Sequence, residues 1–161
     1  KMHYLKKAVA TDIDFIYNLA RDIWQQTYVE TIGQDQVDYM LDLFYSPIAL
    51  NAGLENGHQL YLIIIDGQRS GYLDIENRGH DYFIHKIYLK NQGQRKGLGS
   101  KVLEEIIQEL VPPGSDLRLH VNRQNYKAIN FYFKNGFTIE ALGDFDIGNG
   151  YFMNDFVMKL S

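Results

Sequence analysis

The chain has 161 residues, 45% hydrophobic and 22% charged, and a formal net charge of −4. That length fits one ordinary domain, residues 1–161, whose core needs no disulfide or metal staple. No cysteine is present, which excludes a disulfide scaffold, a thiolate metal site and a cysteine nucleophile.

The mild acidity argues against nucleic acid or an anionic membrane as the main partner and suits a cationic substrate. The longest apolar runs, such as Leu60 to Ile65, are too short to cross a bilayer. Lys1 to Val9 alternates and carries charge, unlike a leader peptide. These features fit a cytoplasmic protein. His3, His58, His80, His85 and His120 show no ligand spacing, so no metal is expected.

In chain order, His3 to Val9 reads as a short strand. Thr11 is placed to cap a helix with Asp12 and Asp14 in its first turn, in which Ile13, Ile16, Leu19, Ala20 and Ile23 recur at helical spacing. A second helix covers about Gln34 to Phe44, and Ser46-Pro47 opens a third. His58 to Ile65 and Arg69 to Glu76 form a hairpin about Asp66-Gly67. Tyr82 to Lys90 is the next strand. A loop with glycines at 93, 97 and 99 then opens an amphipathic helix with Val102, Leu103, Ile106, Ile107 and Leu110 on one face, ended by Pro112-Pro113-Gly114. Leu117 to Val121 is a strand, and Asn125 to Asn135 a helix closed by Gly136. Phe137 to Leu142 and Tyr151 to Leu160 are strands joined by a Gly/Asp loop. The sum is a mixed α/β layer with helices on both faces.

The glycine loop after a strand brings backbone N–H groups and a helix N-terminus to one place, which suits a diphosphate. Arg95 and Lys96 add positive charge at its rim. Ser100-Lys101 is the reverse of the order a Walker A loop needs, and the three glycines do not have Rossmann spacing. A glycine turn that merely starts a helix remains the plain alternative.

Gln94-x-x-Gly97-x-Gly99, following Ile87-Tyr88-Leu89, resembles the acetyl-CoA-binding motif of the GNAT acetyltransferases. A second block does so too: Leu119-His120-Val121-Asn122, then Asn125-x-x-Ala128-x-x-Phe131-Tyr132-x-x-x-Gly136-Phe137. Within that superfamily the chain is most similar to PaiA-type bacterial spermidine/spermine N-acetyltransferases, through His85-Lys86-Ile87-Tyr88-Leu89-Lys90-Asn91, the Gln94 to Gly99 loop, and Asp155-Phe156-Val157-Met158-Lys159. The likeness is weakest between about Thr31 and Asn56.

The resemblance implies a GNAT fold: one mixed, mostly antiparallel sheet of about seven strands that splays between the fourth and fifth. It also implies acetyl-CoA as cofactor and transfer of acetyl to a small, polyamine-like primary amine. Homodimers are frequent among such relatives. The residues implied to hold coenzyme A are Ile87, Tyr88, Leu89, Gln94, Arg95, Lys96, Gly97, Leu98, Gly99, Ser100, Asn122, Asn125, Tyr132 and Lys134. The Leu89 N–H is the candidate to polarise the thioester carbonyl. Tyr132, protonated at neutral pH, is the candidate general acid.

A base must deprotonate the incoming amine. His85 stands where the family often has Glu, and alternation places it on one face with Phe83, Ile87 and Leu89. Glu76 and Asp74 are rival bases. Trp24, Tyr28, Glu76 and Asp146 are the candidate acceptor contacts, and Asp144 and Asp155 flank the last hairpin with them. Each candidate also has a structural reading: Asn125 as a helix cap, Trp24 and Tyr28 as core, the aspartates as turn formers. A non-catalytic acyl-CoA sensor on the same fold is the rival to an enzyme.

Overall fold

A computed structural model describes residues 3–90 and 96–161. The chain packs as two compact units, Lys1–Asp74 with Ile87–Lys90 and Ile75–Lys86 with Asn91–Ser161.

The first unit holds β1 (His3–Lys7), α1 (Asp12–Thr27), α2 (Val29–Ile32), α3 (Gln34–Tyr45), α4 (Pro47–Glu55), β2 (His58–Ile65), most of β3 (Gln68–Asn77) and the end of β4 (Tyr82–Leu89). Ile13, Ile16 and Ala20 of α1 and Val37, Leu41 and Tyr45 of α3 recur at three- and four-residue steps. They bury one stripe of each helix against Leu60, Leu62 and Ile64, alternate residues of β2, and against Tyr72. β1 runs antiparallel to β2, from His3 opposite Ile65 to Lys7 opposite Tyr61.

Ser46 caps α4 as expected, its Oγ accepting from the Ala49 N–H at 3.2 Å, with Pro47 in the first turn. Asp66 (φ 51°) and Gly67 (φ 79°) are both left-handed, as a two-residue hairpin turn requires. Thr11 differs from expectation. Its backbone is already helical and its side chain makes no cap. Asp12 instead accepts from the Val9 N–H at 2.9 Å, tying the helix start to the chain ahead of it. α2 was not legible, because a single turn is too short to show a period.

The second unit holds the end of β3, the start of β4, α5 (Leu98–Leu110), β5 (Leu117–Asn122), α6 (Tyr126–Lys134), β6 (Thr138–Gly148) and β7 (Tyr151–Leu160). β5 alternates cleanly: Leu117, Leu119 and Val121 are buried, while Arg118, His120 and Asn122 are half-exposed on the opposite face. On α5, Val102, Leu103 and Ile106 are buried; Ile107 and Leu110 are half-buried. The Gly/Asp stretch after Leu142 is strand rather than loop. Phe145 and Ile147 alternate with the exposed Asp144 and Asp146, a pattern that pairs with β7 up to a turn at Asn149 (φ 55°) and Gly150 (φ 79°).

The seven strands form one sheet in the order β1-β2-β3-β4-β5-β7-β6. β4 and β5 are parallel, and β5–β7 and β6–β7 antiparallel. The β4–β5 ladder runs only from Tyr82 opposite Leu117 to Ile84 opposite Leu119, yet β4 continues to Leu89 and β5 to Asn122. This is the expected splay.

At the closed end of that ladder, the fully buried Asp81 accepts from Arg78 (3.0 and 3.1 Å) and Arg118 (3.1 Å). Burial by itself pushes the Asp81 carboxyl up, but the two guanidinium bonds and the nearby positive charges outweigh it and hold the group low. Arg118 also forks onto Glu140 at 2.8 and 3.0 Å, so one side chain ties β5 to both the β3–β4 turn and β6.

Candidate active site

The backbone of β4 departs from a regular strand. Arg78 N–H bonds the Asp81 carbonyl and Lys90 N–H bonds the Ser70 carbonyl. From Arg78 back to Ser70 is eight residues, but from Asp81 to Lys90 nine, so β4 carries one extra residue: a bulge. Gly71 marks its position. An ideal Cβ on Gly71 would overlap the Tyr88 carbonyl oxygen and lie 3.1 Å from Leu89 Cα. The Tyr88 carbonyl therefore leans toward β3. Because a trans peptide is planar, the N–H of Leu89 points the opposite way, off the ladder.

The bulge corrects the expected alternation. Tyr88 shares the side of β3 that carries Tyr72, their rings 6.1 Å apart. Ile87 and Leu89 thus lie on the face opposite Phe83 and His85. The sequence signal for this is Gly71 itself, since a glycine inside a strand pattern marks close backbone approach.

Gly97 is the N-terminal flank of α5, with φ 76° and no side-chain cap. The helix's own bonding starts with Lys101 N–H to the Gly97 carbonyl at 3.1 Å, so the N–H groups of Leu98, Gly99 and Ser100 lie outside the helical ladder. Among the described residues, nothing lies within 4 Å of where a Gly97 Cβ would be. An uncapped helix start with that open space fits a diphosphate. Lys96 is exposed, and Ser100 Oγ accepts from Asn135 Nδ2 at 3.1 Å. Gln94 and Arg95 lie outside the described residues.

On α6, Asn125 is a genuine cap, its Oδ1 accepting from the Ala128 N–H at 3.2 Å. Asn122 Oδ1 accepts from the Gln124 N–H at 2.8 Å and shapes the same turn. The Tyr132 ring is buried, with Phe131 and Phe137 centroids at 5.3 and 5.4 Å. Lys134 is exposed in the last turn.

One face of the second unit gathers titratable and aromatic side chains. His85 Nε2 and Glu76 Oε1 are 2.8 Å apart, their side chains 25% and 22% exposed. Phe83 lies 4.8 Å from both the His85 and His120 rings, with the Arg78 guanidinium 4.1 Å above it. Phe145 stacks on His120 at 4.5 Å and 12°. Burial, with help from the Arg78 and His85 charges, pushes the His120 pKa down to about 4, so this imidazole is neutral at physiological pH and serves as an aromatic surface. The motif Leu119 to Asn122 does not by itself single out His120; the signal for its place on this face is strict alternation with Leu119 and Val121.

The three acceptor-side aspartates separate. Asp144 bonds Arg123 at 2.6 Å, Asp146 caps the Gly148 N–H at 2.9 Å, and Asp155 is buried. In the first unit Asp74 faces His58 at 2.9 Å. The Trp24 and Tyr28 rings lie 4.7 Å apart, tilted at 46°, on the edge of the apolar core, with Tyr45 6.0 Å from Trp24. Tyr45 in turn accepts from the Tyr72 hydroxyl at 3.3 Å, and burial raises both phenol pKa values. That is the core reading of Trp24 and Tyr28.

The sequence profile of the Acetyltransferase (GNAT) family matches residues 13–137. The spermidine N(1)-acetyltransferase of Thermoplasma acidophilum is 25% identical over 142 residues, which is 84% of this chain and 88% of that protein. Among solved structures, PaiA N-acetyltransferase from the same organism, in complex with coenzyme A, has a TM-score of 0.77 at 24% identity, covering 99% of this chain and 98% of its own. The Vibrio cholerae spermidine N-acetyltransferase, in complex with CoA and spermine, has a TM-score of 0.62 at 21% identity, covering 99% and 95%. A splayed parallel strand pair, an uncapped glycine-started helix and a family profile spanning most of the chain agree: the protein belongs to the GNAT acetyltransferase family and is an acetyl-CoA-dependent N-acetyltransferase.

Proposed function

We propose that the acceptor is a small polyamine and that transfer occurs by direct attack of its primary amine. The observation that carries this reading is the His85–Glu76 pair, 2.8 Å apart on the face that also holds Phe83, His120 and Phe145. A protonated amine needs a base, and aromatic faces and carboxylates attract its charge. The two relatives that act on spermidine by name add support.

Acetyl-CoA supplies the acyl group in activated form, as a thioester. With Nε2–H donating to the Glu76 carboxylate, His85 Nδ1 is the nitrogen that takes the proton from the acceptor's ammonium, and Glu76 orients the ring and stabilises its positive charge. The outward Leu89 N–H donates to the carbonyl oxygen as that atom gains charge, and the Tyr132 hydroxyl returns a proton to the departing sulfur. Ile87, Tyr88 and Leu89 offer backbone to the pantetheine arm. Lys96, Gly97, Leu98, Gly99 and Ser100 hold the diphosphate, with Asn122, Asn125 and Lys134 beside the cofactor. Glu76, beside His85, is the carboxylate offered to the acceptor.

Free-thiol release across polyamines, amino acids, aminoglycosides and peptides tests the acceptor; spermidine turnover no better than that of an amino acid sinks it. His85→Asn is expected to lower kcat about 100-fold and to abolish the acidic limb of the kcat/KM–pH profile. Glu76→Gln should cost less and shift that limb. An unshifted limb in both variants would assign the proton transfer elsewhere.

Gly97→Ala tests the diphosphate cradle. Its methyl meets none of the described residues, so the cost read from them is left-handed strain, about 1–2 kcal/mol. Acetyl-CoA affinity should nonetheless fall at least roughly tenfold, because the methyl occupies the ligand's side of the amides. Calorimetry with acetyl-CoA reads this, and unchanged affinity removes the cradle.

A further inference from the structure

Asp155, on β7, is 6% exposed, and no described residue donates a hydrogen bond to its carboxylate or forms an ion pair with it. Asp81, equally buried in the same unit, has two guanidinium partners. The nearest cation to Asp155 is engaged elsewhere: Arg123 bonds the Asp144 carboxylate at 2.6 Å and the backbone carbonyls of Gly143 and Asp155 at 3.5 and 3.4 Å.

Sheet register places Asp155 between Asn122 on β5 and Gly143 on β6, on the face that carries His120. Phe145, from β6, reaches across β7 to stack on His120, so its ring lies over the stretch of β7 that holds Asp155 and Val157. Gly143 makes room for this: a side chain there would overlap the Phe145 ring. A carboxylate thus sits under an aromatic roof beside a neutral imidazole, without a counter-charge of its own. A carboxylate so enclosed has little water and no counter-charge around it, which makes the position favourable for a cationic ligand group.

We propose that Asp155 anchors the distal ammonium group of a di- or polyamine acceptor, with the rings of Phe145 and His120 as its walls. The inference rests on the polyamine reading above and adds the residue that selects for a second positive charge. An ammonium complements both a carboxylate and the faces of aromatic rings. Reach agrees. His85 lies one residue past the last β4–β5 pair, and Asp155 lies two strands over and two residues farther along. Strand spacing and rise put them about 12 Å apart. A fully extended amine chain of about nine bonds spans roughly 11 Å.

Burial raises the Asp155 pKa to about 6, with Arg123 offsetting only part of the effect. His120 and Asp144, the other titratable groups near it, give it no bond. The folded-state value is therefore above the unfolded one. Its favourable contribution to stability is complete below about pH 4 and lost as pH rises through about 6.

The test is Asp155→Asn, compared with wild type on spermidine and on octylamine at saturating acetyl-CoA. The spermidine-to-octylamine ratio of kcat/KM is expected to fall at least tenfold, through the KM for spermidine. The variant should melt higher than wild type at pH 8, with the gap closing toward pH 4. Phe145→Leu, which removes the roof and keeps the carboxylate, should lower the same ratio. A preserved ratio in both variants overturns the anchor and leaves the polyamine reading standing. Wild type that treats the two amines alike overturns both. A D155N chain that melts lower or fails to fold marks Asp155 as structural and also overturns the anchor.

Discussion

Replacing Tyr132 by Phe is expected to lower kcat on the order of 100-fold or more while leaving acetyl-CoA affinity within about twofold. The basis is the division of labour within one side chain. The ring is buried between Phe131 and Phe137, and Phe keeps that packing. The hydroxyl alone carries a proton at neutral pH, and general acid catalysis contributes about 10²–10⁴-fold. An interaction made only as the thiolate leaves appears in kcat and not in ground-state binding. Steady-state kinetics alongside calorimetric titration of acetyl-CoA separates the two. Parallel losses of turnover and affinity would assign Tyr132 to the structure of the cofactor site, and no loss would move the acid elsewhere.

Gly71→Ala is expected to destabilise the protein by about 2–4 kcal/mol. That corresponds to a Tm lower by roughly 5–15 °C for a chain of this size. The added methyl meets backbone, the Tyr88 carbonyl and Leu89 Cα, and neither can rotate aside as a side-chain end could. Relief requires β3 and β4 to separate where the bulge turns Leu89 N–H outward. Activity should therefore fall more than tenfold even where the variant is folded, since small misplacements of a donor are costly. Gly97→Ala, whose methyl meets none of the described residues, is the contrasting control: a smaller stability cost, about 1–2 kcal/mol, with weakened cofactor binding. A G71A enzyme with wild-type melting and turnover would remove the bulge from the mechanism.

Local chemistry explains which parts of the architecture were legible. Hairpin turns at Asp66-Gly67 and caps such as Ser46-Pro47 are decided within four residues, and the chain builds them as read. The apolar stripes of α1, α3 and α5 are periodic over three turns or more, long enough to stand out. Errors arose where a local signal met a competing partner. Thr11 makes no cap because its backbone is already helical, and Asp12 bonds the Val9 N–H ahead of the helix. Asp144 and Asp146 suggested a loop, yet β7 supplied a ladder that drew them into β6.

The sequence by itself determined the family, the glycine-started helix, the Phe131-Tyr132 block and the order of strands and helices, because each is written in residues close together in the chain. Only the tertiary structure decided three things: the β4 bulge against Gly71, the meeting of His85 with Glu76, and the isolation of Asp155 beneath Phe145. Each depends on the register between strands that are not read together along the chain. A one-residue shift in register moves every later side chain to the opposite face, so alternation within one strand could not foretell which groups would share a site.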